Sequence, residues 1–160
     1  MTLGEAVARA ESADERTLAQ LRRDVDDELE AAARSQSYQE RAVAFRAIGQ
    51  LRFNQKTELL IRGLDDGSPA CRGSALLSLE ALSRSHPGLV NSARSRLHTL
   101  ATSDPNGAVR RIAVLALKNG SATPDTITLL AHLADEADDA ELRAAAKSVH
   151  GVLKRKAASR

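Results

Sequence analysis

Aromatic side chains are almost missing from this chain: one Tyr, two Phe and no Trp among 160 residues. A core without rings has to be built from Leu, Ile, Val and Ala, and such a core favours closely packed helices. Cysteine is scarce too. The single Cys71 excludes an internal disulfide and fits a reducing compartment. No run approaches the roughly 20 apolar residues of a membrane span. The opening MTLGEAVARAESADER places acids where a secretory leader has an apolar stretch. These absences lead us to expect a cytoplasmic protein that does not associate with membranes.

Excess charge of one sign is also lacking. The chain carries 23 basic and 21 acidic residues, a net charge of +2. Four of the basic residues, Lys154, Arg155, Lys156 and Arg160, fall in the closing KRKAASR. The rest of the chain is slightly acidic, so the basic pI describes the tail and not the body.

What is present is self-similarity. Four segments align on Arg-x-x-Ala: ERAVAFRAIGQL at Arg41, CRGSALLSLEAL at Arg72, VRRIAVLALKNG at Arg110 and LRAAAKSVHGVL at Arg143, with spacings of 31, 38 and 33 residues. Ala44, Ala75, Ala113 and Ala146 follow three residues later; Ile48, Leu79, Leu117 and His150 follow seven residues later. Steps of three and four share one helix face, and the small residue lets helix axes approach closely. A further helix precedes each of these. The longest, RTLAQLRRDVDDELEAAARS, bears the stripe Leu18, Leu21, Val25, Leu29 and Ala32. Its acids Asp24, Asp26, Asp27, Glu28 and Glu30 read as a solvated outer face.

Boundary residues complete the pattern. Ser12 with Glu15 and Ser37 with Glu40 have capping-box spacing. Asn54, Ser68 and Asn106 suit N-caps, Pro124 suits a first helical position, and Gly120 suits a helix end. Helices are expected over 2–10, 14–34, 38–51, 55–64, 69–84, 88–102, 107–119, 124–135 and 139–156.

Helix pairs with Arg opening every second helix resemble HEAT repeats, and the short period is similar to bacterial HEAT-like repeats of the phycobilisome-lyase type. The resemblance rests on a turn Asp, then Val-Arg, then small residues. DPNGAVRRIA carries it with Asp104 six positions before Arg110, and DDGSPACRGSA repeats the offset at Asp66 and Arg72. The outer segments depart from it, with Ser35 and Ala137 at the corresponding places. The resemblance implies an all-α fold: an α-solenoid of about four HEAT-like helix pairs plus a short N-terminal helix. It implies one domain over 1–156, with repeats near 12–52, 53–85, 86–120 and 121–156, and a basic tail at 157–160. Arg41, Asp66, Arg72, Asp104, Arg110 and Arg143 are expected to form a structural ladder in which each turn Asp offsets an Arg placed at the positive end of a helix, and which stacked repeats extend into alternating charge.

Nothing in the sequence points to catalysis. There is no phosphate-binding glycine loop, no nucleophile elbow and no zinc-protease helix motif. His98 and His132 occupy corresponding helices, but no further ligand joins them at metal spacing, so neither a metal nor another cofactor is expected. Cys71 reads as a small core residue.

A solenoid of this kind exposes a groove along its second helices, and its stability comes from neighbouring repeats, which frees that surface for recognition. Arg46, Glu80, Arg111, Lys118, Lys147 and Lys154 are candidate exposed positions there. The expected function is a non-catalytic bacterial scaffold or adaptor that binds an acidic or mixed-charge segment of another protein. Arg46, Arg111, Lys118 and Lys147 would supply charge, with Phe45, Leu76 and Val114 as apolar contacts if exposed; the alternative for these +4 residues is that they pack against the first helices. The alternative is a nucleic-acid-binding protein using the same basic row. Arg111 differs from its neighbour Arg110 in not recurring: Ala42, Gly73 and Ala144 hold its place in the other segments.

Overall fold

The computed structural model describes residues 1–159. Among the described residues nine α-helices follow one another: α1 (Leu3–Ala10), α2 (Glu15–Ala33), α3 (Tyr38–Gln50), α4 (Thr57–Gly63), α5 (Pro69–Ser83), α6 (Gly88–Ser103), α7 (Gly107–Leu117), α8 (Pro124–Glu136) and α9 (Ala140–Ala158). No strand occurs among the described residues. The fold is all-α, and every helix end lies within two residues of its expected place. The largest differences flank α4, which opens late because Asn54–Lys56 form a 3-10 turn before it, and follow α7 and α9. The basic residues Lys154–Lys156 belong to the helical α9, which runs two residues beyond expectation.

Contacts divide the chain into two compact units, Met1–Leu82 and Ser83–Arg160. In the first, α1 packs on α2 and α3, and α2 pairs with α3. The stripe Leu18, Leu21, Val25 and Leu29 is fully buried, facing a core that holds Ala44, Phe45, Ile48 and Leu51. In the second, α6 pairs with α7 and α8 with α9, while α7 also packs on α9. Val90, Leu97, Val114, Leu117, Leu130, Val149 and Leu153 fill that core. Each buried Leu or Val contributes about 1.5–3 kcal/mol over leaving it exposed, so Leu and Val carry these units without help from rings.

The small residues do the close work. Ser78 of α5 enters the backbone of α3: its hydroxyl donates to the Phe45 carbonyl at 2.6 Å and accepts the Gly49 N–H at 3.0 Å. A Cβ on Gly49 would lie 2.7 Å from Ser78 Cα. Gly120 has the same role in the second unit, where a Cβ would meet Val90 Cγ1 at 2.5 Å. It is not a left-handed helix stop, because no glycine has positive φ among the described residues.

The caps differ from expectation in part. Asn106, Thr123 and Ser37 cap α7, α8 and α3 through their side chains. Asp14, and not Ser12, caps α2, accepting from Thr17 N at 2.8 Å. Asn54 caps nothing; it begins the 3-10 turn. Among the described residues the one left-handed residue is Arg52, φ 52°, just after α3. There Phe53 N reaches back to Ile48 O at 2.9 Å and Arg52 N to Gly49 O at 3.1 Å, the double bond pattern of a Schellman end that normally takes glycine.

Candidate functional site

The repeated arginines make a common contact, and it is with the main chain. Arg41 Nη1 donates to Ser35 O at 3.0 Å, Arg72 Nη1 to Asp66 O at 2.9 Å, and Arg143 Nη1 to Ala137 O at 2.7 Å. All three span six residues. The offset seen in the sequence is therefore met by a carbonyl, which any residue supplies. This explains how Ser35 and Ala137 can stand where the central segments have Asp. Arg110 takes a carbonyl as well, Ala101 O at 3.2 Å near the end of α6. Each arginine thus brings donors to carbonyls freed at a helix end or in the turn beyond it.

The side-chain pairing expected inside a repeat is corrected in the first unit. Asp66 is gripped by Arg41, from one repeat earlier: Nε to Oδ2 at 2.9 Å and Nη2 to Oδ1 at 3.0 Å. It also accepts Ser68 N at 2.9 Å. Burial works against the Asp66 carboxylate, but the Arg41 fork and the Ser68 amide outweigh it and hold the carboxyl below its ordinary range. The Asp104 side chain accepts Asn106 N at 2.9 Å.

The candidate recognition residues separate into two groups. Phe45, Leu76 and Val114 are buried, at 4%, 0% and 0% exposure. They stand four residues after their ladder arginines, on the face that packs against neighbouring helices, so they offer a partner no apolar contact. Glu80 is buried as well. The charged group fares differently. Arg46, Arg111 and Lys118 are half-buried, and Lys147 and Lys154 are exposed.

In the second unit these side chains have a clear local basis. The Asn106 cap starts α7, which puts Arg110 and Arg111 in its first two turns. Consecutive residues point about 100° apart. Arg110 consequently turns back toward α6, while Arg111 reaches across to Glu141 in the first turn of α9 and forms an ion pair. Lys118 caps the far end of α7. Lys156 of α9 comes to that same end and donates to Lys118 O at 2.6 Å and Gly120 O at 3.1 Å, matching a cation to the negative end of the α7 dipole. Partial burial lowers the Lys156 pKa. Lys156, expected as part of a basic segment, is thus engaged within the fold, and Lys147 and Lys154 project from it.

Cys71 and His98 have structural partners. Cys71 is buried, and its thiol donates to Tyr38 O at 3.2 Å. Burial raises its pKa, which keeps it a thiol and a poor nucleophile. His98 Nε2 lies 2.9 Å from Thr126 Oγ1, and burial lowers its pKa. No group of three His, Cys, Asp or Glu is arranged for a metal among the described residues.

Two features were missed by sequence reasoning. The acidic face of α2 is only partly solvated. Lys56 lies between Asp26 (2.5 Å) and Glu30 (2.8 Å) and over the Phe53 ring (5.4 Å). Burial opposes the Lys56 charge, but the two carboxylates prevail and raise its pKa. The second feature is an open groove of about 700 Å³ between α1, α2 and α3. Val43, the +2 residue after Arg41, is its only sequence signal: an apolar residue outside the buried stripe. No family model matches the chain, and no curated protein matches it.

Proposed function

We propose that the chain is a non-catalytic adaptor built of about four HEAT-like helix pairs, and that it binds an acidic or mixed-charge segment of another protein along its second helices, α3, α5, α7 and α9. The observation that supports this reading most is the basic wall of the second unit. There α7 and α9 pack side by side, with Lys147 and Lys154 exposed, Arg111 half-buried and paired with Glu141, and Lys118 half-buried at the end of α7, while Val114, Leu117, Val149 and Leu153 are buried. Recognition is then polar and electrostatic, which favours fast association and charge-based selection over tight apolar anchoring. A phosphate backbone would meet the same side chains. The burial of Phe45 removes the one stacking platform in that row, which favours protein over single-stranded nucleic acid.

The test reverses charge without touching the core. Arg111→Glu and Lys118→Glu are introduced together, and proteins captured by the variant and by the unaltered chain are compared by quantitative mass spectrometry. A partner present with the unaltered chain and lost with the variant is the expected result. Equal recovery of every captured protein would sink the proposal.

A further inference from the structure

The groove between α1, α2 and α3 has an apolar floor and an acidic rim. Leu3, Ala31, Ala32 and Val43 line it, with Glu28 and Glu40 as its charged lining residues. Val43 is 55% exposed, the highest value among the large apolar side chains of the described residues. Glu28 Oε1 accepts Leu3 N at 3.2 Å, which ties α1 to α2 at the edge of the groove.

The contacts between α3 and α5 say what kind of element suits this position. Cys71 rests on Tyr38 O and Ser78 on Phe45 O, so a second helix seats on its predecessor at steps of 33 residues. Cys71 is one of the residues by which α5 sits on α3, and its counterpart on α3, 31 residues earlier, is Glu40, which lines the groove together with Val43 one helical turn further on. The groove thus occupies the side of α3 on which α5 receives a helix. In α9, the counterparts of the α3 residues Phe45, Arg46 and Gly49 are Lys147, Ser148 and Gly151. Lys147 and Ser148 are exposed, and the nearest atom to a Cβ on Gly151 is the flexible end of Arg155 at 3.4 Å.

Charge supports the same pairing. Residues 1–82 hold 11 basic and 14 acidic side chains, and residues 83–160 hold 12 and 7. Lysine in place of Phe45 keeps two α9 faces from pairing with each other and suits an acidic receiver. We propose that the groove receives α9 of a second copy of this chain, with Lys147 and Lys154 against Glu28 and Glu40, giving a head-to-tail association. Such a contact is heterologous, so each copy keeps one free groove and one free α9, and assembly continues with concentration.

Sedimentation velocity on the full chain tests this across a concentration series at low and high salt. Species larger than the monomer are expected to grow with concentration and to recede with salt. Val43→Glu, and separately Lys147→Glu with Lys154→Glu, are each expected to weaken association about tenfold or more, and circular dichroism reports whether each variant stays folded. The decisive arm mixes the two. Each retains one intact surface, so the mixture is expected to give a one-to-one dimer and nothing larger. A chain that stays monomeric throughout the series, or association that neither set of substitutions changes, would overturn the proposal. Val43→Glu leaves the whole basic wall of α7 and α9 intact, so in that variant loss of self-association is read separately from loss of partner capture.

Discussion

Arg52 holds a φ of 52° at the end of α3, where the chain needs a left-handed residue and a side chain with a Cβ resists it. Its side chain has no part in the Schellman bonds, which are main-chain. Arg52→Gly is therefore expected to stabilise the protein by about 0.5–1 kcal/mol, seen as a rise of about 1–4 °C in Tm. An unchanged or lowered Tm would show that the arginine contributes more than its backbone strain costs. Asp66 gives a second prediction at this scale. Folding holds its carboxyl below 3.8, so the unfolded chain takes up the proton first. The stabilisation is complete above that ordinary value and is lost as pH falls through it toward the lower folded pKa. Asp66→Asn is expected to cost about 1–3 kcal/mol at neutral pH and to flatten the loss of stability below pH 4, as read by urea unfolding at several pH values. Equal acid sensitivity in the two proteins would remove Asp66 from the account.

At the scale of the helix, two glycines should respond oppositely to the same change. Glycine inside a helix is about 1 kcal/mol worse than alanine when nothing crowds it. Gly151 of α9 meets only the end of Arg155, so Gly151→Ala is expected to raise the urea midpoint. Gly49 of α3 faces Ser78 backbone at 2.7 Å, so Gly49→Ala is expected to lower it. Stabilisation by both would mean that α3 and α5 can separate without loss.

The helices themselves were legible because their apolar stripes follow a 3.6-residue period and because Asn106, Thr123 with Pro124, and Ser37 mark their starts. What stayed hidden was which arginine takes which acid. The partner of Asp66 lies 25 residues away at Arg41, and the six-residue offset that suggested an internal pair belongs to a carbonyl with no side-chain signature. The recognition residues show the same division. Periodicity placed Arg111, Lys118, Lys147 and Lys154 on the second helices, but it could not say that the +4 residues Phe45, Leu76 and Val114 turn inward, because helical spacing alone does not give the width of a buried face. The groove beside Val43 was equally hidden, since it depends on where α1 comes to rest.

At the scale of the whole molecule, an acidic first unit and a basic second unit lie in one chain of nearly neutral net charge. The pI near 9 describes neither. Arg110 and Arg111, adjacent in sequence, capture the division of labour: the first donates to the main chain of α6, and the second stands with the basic wall of α7 and α9. The central claim is that this wall binds a protein partner. The measurement that reaches it most directly is the affinity of the captured partner for the unaltered chain and for Arg111→Glu with Lys118→Glu, each at low and at physiological salt. The account predicts an affinity at least about tenfold weaker in the variant and a smaller dependence on salt, because two cations have left the interface. Equal affinity and equal salt dependence in the two proteins would contradict it.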